Sequence, residues 1–163
     1  MSKKFELKTR IKVKNLVPWE VGFPCYTIRG KEQGLVISGT QIHGQLTYEE
    51  IEEQINSENV AFCGVDGKGA HACLRICDFE AHKALFQEPN ITDYPIQLTK
   101  KAIDELLMIT DIKEFNKRLD ELVITSSEKK ALVHYISNHP SFNDLSFAVI
   151  KSIEAKTEMN FLN

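Results

Sequence analysis

The chain has 163 residues, of which 42% are apolar and 26% charged. That is the composition of one ordinary globular domain or two small ones, and it excludes a disordered or fibrous chain. A net charge of −3 and a pI near 6.0 exclude a surface that is basic all over, as a general nucleic-acid coat would need. No apolar run approaches 18 residues, so no membrane span is expected.

Residues 4–14 alternate. Phe5, Leu7, Thr9, Ile11 and Val13 share one parity; Lys4, Glu6, Lys8, Arg10, Lys12 and Lys14 share the other. A period of two predicts a strand with one buried and one wet face. After Pro18, a second alternation runs from Trp19 to Arg29, with Pro24 marking an edge or bulge. Gly30 to Gly34 reads as a turn, Leu35-Val36-Ile37 as a short strand, and Ser38 to Gly44 as a loop.

Thr47 and Glu50 form a capping box, and Leu46 with Ile51 the matching hydrophobic staple. Together they predict a helix over about 47–57. Glu49, Glu50, Glu52 and Glu53 sit in its first turns, where the dipole favours negative charge. Val60-Ala61-Phe62-Cys63 reads as a strand, Asp66-Gly67-Lys68-Gly69 as a turn, and Ala70 to Phe79 as the partner strand of a hairpin. Residues 87–97, with Pro89, Asn90, Asp93 and Pro95, read as a linker.

Four helical stripes follow. Leu98, Ala102, Ile103, Leu106 and Leu107 make the first, and Asp111 with Glu114 caps a second carrying Ile112, Phe115, Leu119 and Leu122. Ser126 or Ser127 opens a third that ends at Asn138-His139-Pro140, and Ser141 with Asp144 begins a fourth. The expected fold is α+β. Residues 1–86 form a strand-rich domain with one inserted helix, 87–97 a linker, and 98–163 a bundle of about four short helices.

Three features invite chemistry. His71, Cys73, Arg75 and Cys77 share one strand parity; Cys63 could join them as zinc ligands, and Cys73 with His71 has the residue types of a cysteine nucleophile with its histidine. Same-face neighbours on a strand stand ~6.7 Å apart, too far to converge on one metal without a bend. Nothing in the sequence marks an orienting third residue or an oxyanion hole. Neither catalytic residue nor metal nor cofactor is expected, and the cysteines read as small buried hydrophobes. The Gly64 to Gly69 run lacks the G-K-[ST] ending of a phosphate loop. Asp66, Gly67 and Gly69 are assigned to a structural turn.

The third feature is the basic ladder of Lys4, Lys8, Arg10, Lys12 and Lys14. It is either a solvated strand face guarding an edge or a docking stripe for an acidic surface. Nucleic acid fits less well, since no aromatics interleave with the charges. The helical half has nine Lys/Arg against ten Asp/Glu, which disfavours a helix-turn-helix reader.

Val17-Pro18-Trp19, Leu46-Thr47 through Ile51, and Gly64 through Ala72 (G-V-D-G-K-G-A-H-A) carry a resemblance. The chain resembles small proteins encoded near the head genes of tailed phages and prophages of low-GC Gram-positive bacteria. The resemblance covers most of residues 11–79 and implies a non-enzymatic virion accessory protein, capsid-associated or completing the head. The implied partner is a larger shell protein met as a homo-oligomer or in multiple copies on a particle, in the virion or the bacterial host cytoplasm. A regulatory or anti-defence protein binding a host protein or nucleic acid is the second expectation. An enzyme built on a metal at His71, Cys73 and Cys77 is the third.

Overall fold

The computed structural model describes residues 4–26, 34–39 and 43–161. Its strands are β1 Arg10–Asn15, β2 Val21–Pro24, β3 Gly34–Ile37, β4 His43–Thr47 and β5 Leu74–Ile76. Its helices are α1 Tyr48–Asn56, α2 Val60–Cys63, α3 Phe79–Leu85, α4 Lys100–Leu107, α5 Ile112–Leu122, α6 Ser126–Ser137 and α7 Phe147–Thr157. The α+β class holds. The chain divides into two compact units, Met1–Gln97 and Leu98–Asn163.

In the first unit, β1 lies between β4 and β5, antiparallel to both. Its apolar parity pairs across the sheet on the buried side: Ile11 with Leu46, and Val13 with Gly44 and with Ile76. Gly44 lets Ile37 of β3 pack closely there: a Cβ would stand 3.2 Å from its side chain, which would have to give way by a few tenths of an ångström. β2 and β3 form a separate antiparallel pair whose Phe23, Leu35 and Ile37 join the same core.

One polar residue knits these pieces together. Asn15 ends β1 on the apolar parity and is fully buried. Its amide nitrogen donates to the carbonyls of Trp19 (2.8 Å), Ile37 (3.1 Å) and Ser38 (3.2 Å), and its oxygen accepts the Val17 amide (3.0 Å). Backbone groups that water cannot reach are thus satisfied by a side chain.

The expected strand over 4–14 is corrected at its first half. Residues 7–8 form a turn, and Leu7 is 53% exposed. The carbonyls of Leu7 and Thr9 accept the amides of Glu49 (2.9 Å) and Tyr48 (2.8 Å) at the start of α1. First-turn amides have no partner inside their own helix, and the N-terminal segment supplies one instead of extending the sheet. Phe5 stacks on Tyr48, ring centroids 5.4 Å apart. The Thr47–Glu50 capping box forms as read, with Ile51 buried beneath it. β4 begins at His43 and Gly44, inside the expected 38–44 loop, and runs straight into that cap. The expected strand end at 27–29 and the turn over 30–33 lie outside the described residues.

The 60–79 hairpin is also corrected. Residues 60–63 are helical: Asn59 caps α2 by accepting the Ala61 amide, and Gly64 closes it at φ 64°. β5 spans only three residues and pairs with β1, not with residues 60–63. Asp78 accepts the Ala81 amide (3.0 Å) and starts α3, a helix that sequence reading placed at the end of a strand. The loop between α2 and β5 does use its glycines. Gly67 and Gly69 have φ of 76° and 99°, and Asp66 accepts the amides of Lys68 (2.8 Å) and Ala70 (3.0 Å). A Cβ on Gly64 would lie 1.9 Å from the Ala70 oxygen. Residues 87–97 fall within the first unit, not between the units.

In the second unit, Thr99, Asp111, Thr125 and Ser146 cap α4 to α7 in turn. Ile103, Leu106, Phe115, Leu119, Leu122, Leu132, Ile136 and Ile153 are buried. α5 packs on α4 and α7, and α6 on α7. The fourth helix starts later than expected. Ser141 makes no cap, Phe142–Asp144 is one 3-10 turn, and the extended backbone of Leu145 separates it from α7.

Asn15→Leu, which the alternation would favour, should destabilise the protein by at least ~2 kcal/mol in urea unfolding, because buried carbonyls lose their donor. Leu119→Ala in α5 should cost ~2–5 kcal/mol by the same measurement.

Candidate docking face on the three-stranded sheet

Because the buried parity of β1 faces the core, the opposite parity of the sheet faces solvent. Arg10 and Lys12 are exposed and Lys14 is half-buried. Their neighbours in register are Thr47 opposite Arg10, Gln45 opposite Lys12, and both His43 and Arg75 opposite Lys14. Lys4 and Lys8 are exposed but lie outside the strand. The five-residue ladder is thereby reduced to three cations over about 14 Å, with Arg75 and His43 extending it sideways. β1 is the central strand, paired with β4 over residues 10–14 and with β5 over residues 13–15.

Arg75 is the contributor that sequence reading missed as part of this face. Its parity was visible, but the hairpin assignment put it opposite the wrong strand. Like charges directly opposed on a sheet repel, and Arg75 faces Lys14. The strain is relieved by residues 87–97. The guanidinium carbon lies 3.7 Å from the centroid of the Tyr94 ring, and Nη1 donates to Gln97 Oε1 (3.1 Å). The negative face of the ring suits a cation. Arg10, Lys12 and Lys14 form no ion pair among the described residues. Asp78 shares a shallow groove with Arg10, Ile11, Lys12 and Cys77.

The cysteines do not converge. Cys63 is buried in the core, and Cys25 donates to Glu53 Oε2 (3.3 Å) beneath α1. Cys73 and Cys77 are half-buried beside β5. His71 is buried at φ 59°, its amide donating to the Ile96 carbonyl (2.7 Å). No group of three or more metal-ligating side chains occurs among the described residues. Burial pushes the Cys77 thiol above its ordinary range, against the opposing pull of Arg75, Lys14 and Lys12; burial, with Glu58 and Asp66, does the same to Cys63.

Asp66, Gly67 and Gly69 lie on the other side of the β5 connection. Asp66 there lines a small cleft with Lys68, Glu88, Ile91, Asp93 and Pro95. Lys68 pairs with Glu88 across it. The bonds of the Asp66 carboxylate are internal to the loop, as a turn requires, and the loop opens no helix of phosphate-binding type. No described helix is long and apolar enough to cross a membrane. Comparison with known proteins returns no matching family model, curated protein or solved structure.

A raised thiol pKa leaves little thiolate at neutral pH. Iodoacetamide at pH 7.5 should therefore modify native Cys77 more slowly than free cysteine, and the urea-unfolded chain at the free rate. Faster labelling of native Cys77 would show an activated thiol.

Proposed function

We propose that the protein is a non-enzymatic interaction module whose basic sheet face docks an acidic protein surface. The observation that supports it is the row of Arg10, Lys12 and Lys14, without an ion pair among the described residues and reinforced by Arg75 directly opposite Lys14. Clustering like charge on one rigid sheet disfavours folding, whereas an acidic partner makes the same cluster favourable and speeds encounter. The setting implied by the resemblance is a phage accessory protein, capsid-associated or completing the head, that meets copies of a larger shell protein. A regulatory protein binding a host protein or nucleic acid is the competing reading.

The test reverses the charge. Arg10→Glu, Lys12→Glu and Lys14→Glu together should keep the fold, because exposed charges contribute little to stability and Lys14→Glu relieves repulsion with Arg75. Capture of assembled heads on immobilised protein should weaken about tenfold or more at low salt. That deficit should shrink as salt rises and the ~8 Å physiological screening length shortens further. Unchanged capture at both salt concentrations would sink the docking face. Competition by duplex DNA but not by polyaspartate would favour the nucleic-acid reading.

A further inference from the structure

His82 is 1% exposed, and neither ring nitrogen has a hydrogen-bond partner. Its ring is enclosed by aromatics: Phe86 at 4.7 Å between centroids, Tyr94 at 5.2 Å and Phe79 at 6.5 Å. The Tyr94 hydroxyl, in the same cluster, is buried and unpartnered as well. Two adjacent orphaned polar groups are an anomaly in a folded interior, where such groups are nearly always satisfied. Above the cluster, a Cβ on Gly69 would meet His82 Cε1 at 3.1 Å and Pro95 Cγ at 3.5 Å. His82, Gly69 and Pro95 are thus in close packing.

The cover over this histidine is residues 94–97. A small set of contacts holds it: the His71 amide to the Ile96 carbonyl (2.7 Å), Gln97 Nε2 to the Gly69 carbonyl (2.9 Å), and the Arg75 contacts with Gln97 and Tyr94. The other wall is α3, whose Ala81, Leu85 and Phe86 belong to the hydrophobic core. If the site must open, the irregular cover moves at lower cost than the helix.

We propose that His82 is the trigger of an acid-released latch, in which its protonation expels residues 94–97 from the first unit and frees the Arg75 side chain. A cationic imidazolium needs two acceptors and water, and the closed cage offers neither. Charges around it do not compensate. Arg75 on β5 opposes the proton, and Asp66 in the α2–β5 loop favours it more weakly. The other carboxylates nearby are engaged: Asp78 with the Ala81 amide, Asp93 with the Tyr94 amide and Glu88 with Lys68. Glu80 pairs with Lys83 on α3, and Glu50 of α1 accepts the Thr47 amide. Opening gives both His82 and the Tyr94 hydroxyl access to water.

The pH window follows from the direction of the shift. Burial, helped by Arg75, lowers His82 from 6.5 to about 4, so the closed state binds fewer protons than the open one between those values. The closed state is therefore fully stable above pH 6.5 and loses ground as pH falls toward 4. At pH 4.5 the opening equilibrium should rise on the order of 50-fold over its value at pH 7.

Amide exchange of the His71 N–H at both pH values reads the latch directly, in the wild type and in His82→Phe. The wild type should lose protection on the order of 50-fold relative to His82→Phe, while amides of α4 to α7 should change equally in both. If His82→Phe does not fold, His82→Leu serves, and the ring C–H resonances of His82 are followed by NMR in the wild type. Equal loss in wild type and variant would overturn the proposal, as would a His82 that titrates near 6.5 with His71 still protected. The consequence that acid adds a free Arg75 to the basic face rests on the docking reading. Loss of head capture would test that reading alone, since the exchange measurement involves no partner.

Discussion

A buried side-chain amide at the end of β1 sets the arrangement of the first unit. Asn15 reaches three carbonyls, one just beyond its own strand and two at the end of β3, while accepting the Val17 amide. Two sheets with short strands leave many backbone groups at their ends, and burial makes each one costly to leave unpaired. By closing that account at one point, Asn15 holds β3 over β1 and β4. Ile37 can then sit on Gly44, and the core from Phe23 to Ile76 becomes continuous. A leucine there would fit the alternation and lose the junction.

The same register that buries Ile11 and Val13 turns Arg10, Lys12 and Lys14 outward, so core packing and surface charge are one decision made on one strand. Its central position matters more than its charge. Paired with β4 over residues 10–14 and with β5 over residues 13–15, β1 cannot slip by a residue without breaking both ladders, so the cation row is held in fixed geometry. The cost is the opposition of Lys14 to Arg75, and residues 87–97 absorb part of it by giving Arg75 a ring and an amide oxygen. A segment that looks like a linker by composition thus has an electrostatic task.

That segment also covers the least satisfied part of the interior. The aromatic cluster around His82 gains apolar contacts from Phe79, Phe86 and Tyr94 while leaving three polar atoms without partners. The unsatisfied groups lie at the junction of α3 with an irregular cover, where release requires no rupture of the sheet. Placed beneath β1 instead, the same defect would tax the whole unit.

Local signals determined a good part of this protein. The Thr47–Glu50 box placed α1, the 3.6-residue stripes placed the helices of the second unit with the Asp111 cap as read, and Asp66, Gly67 and Gly69 marked the 66–69 turn. In each, cause and effect lie within a few residues, so the sequence carries the whole argument. What failed was whatever depended on a distant partner. Residues 4–9 have strand periodicity, yet the carbonyls of Leu7 and Thr9 go to the amides of α1 some 40 residues away. Residues 60–63 are a local exception: their apolar strand character is outweighed by the flanking Asn59 cap and Gly64, which make them helix. β5 was assigned the wrong neighbour, and with it Arg75 left the basic face and His82 lost its cage. Pairing and burial are set by the free energy of the assembled core, and only the tertiary structure could decide which strand meets β1, which cations share a face and which histidine is left without a partner.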